Sequence, residues 1–369
     1  PLRGAGPVQM IMHVGLPKAG STYMQAVLHG NREAIEAAGW LYPEAGIRKG
    51  MLAHHDIAYL PEQFLVPGTE GRRALAKLKG GPNLLFSAEG FAYLDADQTR
   101  TLANIVGAEQ IQILLMLRDP LYLFYATWKE RVKHGHLQSL PEFFMQHFSD
   151  PSASNILNPV LVLRKFAHLG ERFSLVVQPY DHLKAEGTDI VSHLWHGMLG
   201  IEAPFEARVK TPNTSLSIAH TEFLRLLLRE YRAEHPAHPL NVARICFTRI
   251  VKGARPDKAN MPKWLRGDTR DYGAEIDEAF AEISEMERLF TLDRGTSVHS
   301  YIRHEVFTEF GDRFAPQVTE EQVYATDPVR LRYYDSEDLL RSVKISRLIK
   351  HMIPEIAAMM KERIGPDAA

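Results

Sequence analysis

Apolar and polar positions in the first half of the chain fall into blocks of two alternating kinds. Residues 8–14 form a nearly continuous apolar run, the mark of a short buried strand. Gly15, Pro17 and Gly20 break that run, and from Ser21 apolar residues recur at helical spacing. Over 23–38, Met24, Val27, Leu28 and Ile35 lie on one stripe with Arg32, Glu33 and Glu36 away from it, predicting an amphipathic helix ended by Gly39. The same succession returns twice. A charged helix near 72–79 leads into a strand over 83–87 that closes on Ala88-Glu89, and a helix over 97–106 leads into the clearest strand, 111–117, which ends at Arg118-Asp119-Pro120. Helical spacing resumes over 121–133.

Further helices are predicted over 140–148, 156–168, 188–199 and 218–232, with a strand over 173–177. Beyond Gly267 strand signals fade, and 272–290 and 336–363 read as helices. Strands alternating with helices imply a largely parallel sheet covered on both faces. In such sheets ligands bind at the carboxyl ends of strands, so loops at 15–22, 87–91 and 118–127 are expected to converge on one site. The expected organisation is an α/β domain over 8–270 with a helical extension over 271–369. The apolar stripe of the last helix, Leu339, Leu340, Ile345, Leu348, Ile349, Met352 and Ile353, fits either core packing or a homodimer.

Composition narrows the classes. With 369 residues the chain is long enough for one large domain and an extension, or for two domains. A formal net charge of −2 lacks the basic bias of a nucleic-acid binder. Cys246 is the only cysteine, so neither an intrachain disulfide nor a cysteine metal cluster can form. No apolar run approaches the roughly 20 residues that span a bilayer, and 1–7 is too short and polar for a secretory signal, so a cytoplasmic enzyme is expected.

The loop between the first strand and the first helix carries the strongest chemistry. A glycine-rich turn at a helix N-terminus points backbone N–H groups at an anion, and the helix dipole adds partial positive charge. Lys18 contributes a mobile cation, and the Ser21 and Thr22 hydroxyls add donors. The spacing differs from the common nucleotide loop, which has lysine directly after its last glycine and then Ser or Thr for magnesium. Here Gly20 is followed by Ser21 and the lysine lies inside the loop, which disfavours a standard ATP or GTP site. The plainer reading of the same residues is an ordinary strand-to-helix turn with a solvated lysine.

The string His13-Val14-Gly15-Leu16-Pro17-Lys18-Ala19-Gly20-Ser21-Thr22 resembles the 5′-phosphosulfate loop of the sulfotransferases that use 3′-phosphoadenosine 5′-phosphosulfate (PAPS). Asn31-Arg32 and Gly39-Trp40-Leu41-Tyr42-Pro43 are similar to the bacterial branch of that family. The resemblance implies a parallel sheet of P-loop type and PAPS as co-substrate, with Pro17, Lys18, Ala19, Gly20, Ser21 and Thr22 on the phosphosulfate and no metal. It implies a 3′-phosphate clamp at Arg118, completed in the family by a serine eight residues later. That position is Ala126 here, with Thr127 beside it as the substitute, and Leu123 stands where the family often has a second arginine.

Sulfuryl transfer needs a cation at the bridging oxygen and a base opposite. Lys18 is the candidate cation. Ser87-Ala88-Glu89 is similar to the family's strand-end Ser-x-Glu, so Glu89 is the first candidate base. His54 and His55 are the alternatives, with His55 carried as the candidate, and adjacent side chains seldom face the same way. His13 is expected to pack or support. Asn213 and Ser215 resemble an Asn-x-Ser element of the bacterial group but also suit a helix cap, and Lys252-Gly253 partly echoes a basic loop over the 3′-phosphate. The expected activity is transfer to a hydroxyl of a small-molecule, lipid or carbohydrate acceptor. The alternatives are a nucleotide or small-molecule kinase, with Asp119 resembling a Walker B acid, and a non-catalytic homologue that only binds nucleotide.

Overall fold

The computed structural model of the chain describes residues 7–16, 18–154, 156–207, 216–236, 242–252, 271–292, 297–324 and 329–364. In chain order the first half contains β1 (Gln9–Gly15), α1 (Ser21–Gly30), α2 (Arg32–Ala37), β2 (Trp40–Leu41), α3 (His55–Tyr59), α4 (Pro61–Phe64), α5 (Glu70–Ala76) and β3 (Asn83–Ala88). There follow α6 (Ala96–Val106), β4 (Gln110–Leu117), α7 (Pro120–Lys133), α8 (Leu140–Phe148), α9 (Val160–Ala167), β5 (Phe173–Pro179) and α10 (Tyr180–Ala185). The remainder is α11 (Ile218–Glu234), α12 (Val242–Lys252), α13 (Tyr272–Ala281), β6 (Arg288–Leu292), α14 (Ser297–Phe310), β7 (Val329–Tyr333), α15 (Ser336–Arg341) and α16 (Val343–Ile364).

Five strands form one parallel sheet in the order β2-β3-β1-β4-β5, an α/β fold with flanking helices. The central strands are apolar almost throughout because helices cover both faces: Met10, Ile11, Met12 and Val14 of β1 and Ile113 to Leu117 of β4 are buried. Register sets Gly15, Met116 and Gln178 in one row across β1, β4 and β5. The chain leaves β1 toward β2 on one side and leaves β4 toward β5 on the other. The carboxyl ends of β1 and β4 are therefore where the connections diverge.

Local chemistry explains where elements stop. The single helix predicted over 23–38 is two, because the Asn31 side chain donates to the Val27 carbonyl at 2.7 Å and closes α1. Of 188–199 only His193–Met198 is helical, since the Asp189 carboxylate takes the Val191 N–H at 2.8 Å and the Tyr23 hydroxyl at 2.5 Å. The 272–290 helix ends at Ala281, and β6 follows as an antiparallel partner of β7, a pair that the hydrophobic pattern does not announce. The 336–363 helix is broken at Ser342, whose hydroxyl accepts from the Ile345 N–H at 3.4 Å and starts α16.

Two compact units emerge. The first comprises Pro1–Leu123, Pro151–Asn213 and Arg294–Asp327 and holds the parallel sheet. The second comprises Phe124–Asp150, Thr214–Asp293 and Pro328–Ala369 and is built around α11, which packs with α12, α13 and α16. The expected boundary after 270 therefore falls inside the second unit. Its core includes a buried ion pair in which Arg225 reaches Glu222 at 2.6 Å and donates to Ser336 Oγ at 2.6 Å. Leu339, Ile345, Leu348, Ile349, Met352 and Ile353 are buried in this unit, so the stripe serves the core rather than a dimer face. Among the described residues no helix is long and apolar enough to cross a membrane.

Candidate functional site

The site begins where β1 ends. A Cβ at Gly15 would lie 2.1 Å from Ser21 Oγ and 3.2 Å from Glu89 Cγ, so only glycine lets the loop and the end of β3 close on the strand. The loop then turns through left-handed backbone at Lys18 (φ 66°) and Gly20 (φ 83°). For Lys18 this conformation costs roughly 1–2 kcal/mol, which the surrounding structure must offset. Gly20 is the N-cap of α1 and offers no side-chain acceptor to the first turn. Ser21 Oγ is buried and has no hydrogen-bond partner. A buried hydroxyl beside an uncapped helix start is a donor set aimed at an anion.

Arg118 follows β4 and crosses to this loop, where Nη1 donates to the Lys18 carbonyl oxygen and so holds the left-handed turn. Its guanidinium lies 5.3 Å from the Tyr180 ring centroid, while Nε is buried without a partner. Tyr180 begins α10 and also faces Gly20, where an added Cβ would come within 3.1 Å of the ring. Among the described residues Arg118 makes no ion pair, so the simple pairing with Asp119 is not what holds it.

Asp119 is engaged elsewhere. One carboxylate oxygen accepts from the Leu121 N–H at 2.9 Å at the start of α7, and the other meets His299 Nε2 at 3.1 Å. Its own N–H donates to Asp181 Oδ2 at 2.5 Å. Burial pushes the Asp181 carboxyl up to about 6, with the Asp119 charge adding to it. The Tyr324 ring packs 5.3 Å from His299, and the Tyr324 hydroxyl, His299 Nδ1 and both amide atoms of Gln178 are buried without partners.

On the other side of Gly15, Glu89 opens a 3-10 turn, Glu89–Tyr93, directly after β3. His54 is no base. Ser87 N–H donates to its Nδ1 at 3.1 Å, which leaves the proton on Nε2, and Nε2 donates to the Pro43 carbonyl at 2.9 Å. Burial pushes this imidazole down to about 4. His13, likewise pushed down to about 4 by burial, pairs Nδ1 with Ser87 Oγ at 2.7 Å and supports the end of β3. His55 stacks on Tyr59 with centroids 5.6 Å apart, and burial lowers its pKa.

Lys18, Ala19, Gly20, Ser21, Arg118 and Glu89 thus share the carboxyl edge of the sheet, and Thr22 is exposed beside them. Pro17, Asn213, Ser215 and 253–270 lie outside the described residues. Thr127 belongs to the second unit, where Oγ1 is buried without a partner, and Leu123 is buried as an apolar core residue. Tyr180, Gln178 and Asp181 could have been found from their place at the carboxyl end of β5, whereas His299 and Tyr324 carry no local sequence signal. Among the described residues no three His, Cys, Asp or Glu side chains are grouped to hold a metal. No family model, no curated protein and no solved structure matches the chain.

Proposed function

We propose that the chain transfers a sulfuryl group from PAPS to a hydroxyl of a small-molecule, lipid or carbohydrate acceptor. The observation that carries this reading is the pair of buried, unpartnered donors, Ser21 Oγ and Arg118 Nε, beside the left-handed loop after the central strand. PAPS fits them because it brings anions to groups whose desolvation is otherwise uncompensated. The strand order and the position of the loop after β1 agree with a sheet of P-loop type.

When bound, PAPS supplies an activated sulfuryl group: a bond from the acceptor oxygen to sulfur forms as the bond from sulfur to the phosphate oxygen breaks, and the nucleotide product PAP leaves with that electron pair. The chain's residues do the rest. Loop amides and Ser21 hold the 5′ end, Lys18 meets charge growing on the bridging oxygen, and Arg118 takes the 3′-phosphate. Glu89 accepts the acceptor proton. A kinase reading is weaker, because both Asp119 oxygens already serve Leu121 and His299 and no lysine follows Gly20.

Calorimetric titration with PAP tests this. Binding in the micromolar range is expected, with Arg118→Ala weakening it about 10- to 150-fold, the equivalent of 1.5–3 kcal/mol for a charge-assisted hydrogen bond. ATP–magnesium should bind far more weakly. No PAP binding, or tighter ATP–magnesium binding, would overturn the reading.

A further inference from the structure

Beside Glu89 lies a run of aromatic side chains that the phosphosulfate loop does not use. His55, Tyr59 and Tyr93 follow one another, with centroids 5.6 Å apart at 20° between the first two rings and 6.1 Å apart at 38° between the second two. Tyr93 closes the same 3-10 turn that Glu89 opens. Gly90 makes the junction: a Cβ there would stand 2.7 Å from Ala58 Cβ and 3.0 Å from Tyr59 Cζ, so the missing side chain lets the Tyr59 ring lie against the turn that carries the carboxylate. Burial first, then the charges of Tyr93 and Glu89, raise the Tyr59 pKa, which agrees with the two groups being within electrostatic reach.

Tyr59 is 52% exposed and Tyr93 is 68% exposed. Large aromatic rings left in water in this way, next to a candidate base, call for a ligand. An apolar acceptor gains its affinity from enclosure, with about 70–90% of its surface covered, which rings left this exposed do not favour. A sugar ring suits it better. Its C–H face can lie on a tyrosine ring while its hydroxyls stay in water or meet the phenol oxygens. Successive ring steps of 5.6 and 6.1 Å are comparable to the spacing of successive sugars in an oligosaccharide.

We infer that Tyr59 and Tyr93, flanked by His55, form the acceptor platform and that the acceptor is a carbohydrate, held so that one hydroxyl meets the Glu89 carboxylate. The inference rests on the sulfotransferase reading of the neighbouring loop. The platform adds no chemical step of its own. It orients the sugar whose hydroxyl proton passes to Glu89.

Saturation-transfer NMR with a panel of cellobiose, maltose, lactose and chitobiose, recorded on the full chain with and without PAP, tests it. At least one disaccharide should receive saturation on its ring C–H protons, with a dissociation constant in the millimolar range. The double variant Tyr59→Ala/Tyr93→Ala should weaken that binding at least tenfold and leave PAP affinity, by calorimetry, within twofold. Tyr59→Phe should retain it, since the ring face is kept. PAP binding with no disaccharide bound would overturn the platform and leave the cofactor reading standing. A disaccharide bound with no PAP binding would sink the sulfotransferase reading while supporting the platform. 4-Nitrophenol bound more tightly than every disaccharide, and lost in the double variant, would overturn the carbohydrate class.

Discussion

The two ends of the parallel sheet treat their polar groups in opposite ways. At the amino end, a cavity of ≈ 240 Å³ is lined by Gln9, Trp40, Gln110, Arg172 and Phe173 among others, and several polar groups there are paired. Asn83 Oδ1 accepts from the Gln9 N–H at 3.0 Å, and Arg172 donates to Asn104 at 2.6 Å and to the Ala108 carbonyl at 3.4 Å. At the carboxyl end, Ser21 Oγ, Arg118 Nε, the Gln178 amide, His299 Nδ1 and the Tyr324 hydroxyl are buried with no partner. Each such group carries an uncompensated desolvation cost of about 1–3 kcal/mol. A cleft alone therefore does not mark the site. The proposed site rests instead on the donors left unpaired at the carboxyl end, to which a ligand could bring acceptors.

The largest test of that contrast is turnover. Glu89→Gln should lower kcat by about 10²- to 10⁴-fold, the usual contribution of a general base, with PAP affinity kept. Glu171→Gln, beside the amino-end cavity, should leave both unchanged. Steady-state kinetics on the best acceptor decides it, and an unaltered kcat in Glu89→Gln would remove the base from the carboxyl end.

A second contrast is in titration. Burial pushes His13 and His54 down to about 4 and Asp181 up to about 6, all toward the carboxyl half of the sheet. Between pH 6.5 and 4 the unfolded imidazoles take up protons that the folded ones refuse, so stability is lost as pH falls through that window. Asp181 acts in the opposite sense: its folded carboxyl binds a proton more readily than the unfolded one, so stability is regained as pH falls from about 6 toward 4. A tenfold change in proton affinity is worth about 1.4 kcal/mol, so each imidazole costs about 2 kcal/mol on going from pH 8 to pH 5 and Asp181 returns about 1. Urea unfolding at the two pH values should show a net loss of about 3 kcal/mol from these groups. His13→Gln should remove about 2 kcal/mol of the difference whatever it does to stability at pH 8. A flat profile would mean that these groups are solvated.

What could be read from the sequence follows the range of the interactions. β1 and β4 announce themselves because two-sided burial demands runs of apolar residues, and Lys18, Glu89 and Arg118 are legible because each stands directly after such a strand. β2 is two residues long and β6 pairs with β7, distant along the chain, so neither leaves a periodic signal. His54 and His55 look equivalent in sequence, and only the fold separates the ring locked between Ser87 and Pro43 from the one stacked on Tyr59. His299 is beyond any local pattern, since its partner Asp119 is 180 residues away along the chain. The boundary expected after 270 misses because α11, α12 and α13 share a core that the fading strand signal does not report.

The smallest effect is the most direct measure of the contrast between the two ends. Gln178 is buried on β5, level with Gly15 and Met116, and neither amide atom has a partner, so replacing it by a side chain of similar volume removes a desolvation cost and breaks no hydrogen bond. Gln178→Met should raise the unfolding free energy of the ligand-free protein by about 1 kcal/mol. Asn83→Leu at the amino end removes the acceptor of the Gln9 N–H and should lower it by about 1 kcal/mol. Urea unfolding of both variants beside the parent chain reads the two signs together. Opposite signs are the expected result. A loss of stability in Gln178→Met would mean that the amide is satisfied within the free protein, and the carboxyl end would then hold fewer groups in reserve for a ligand than its geometry implies.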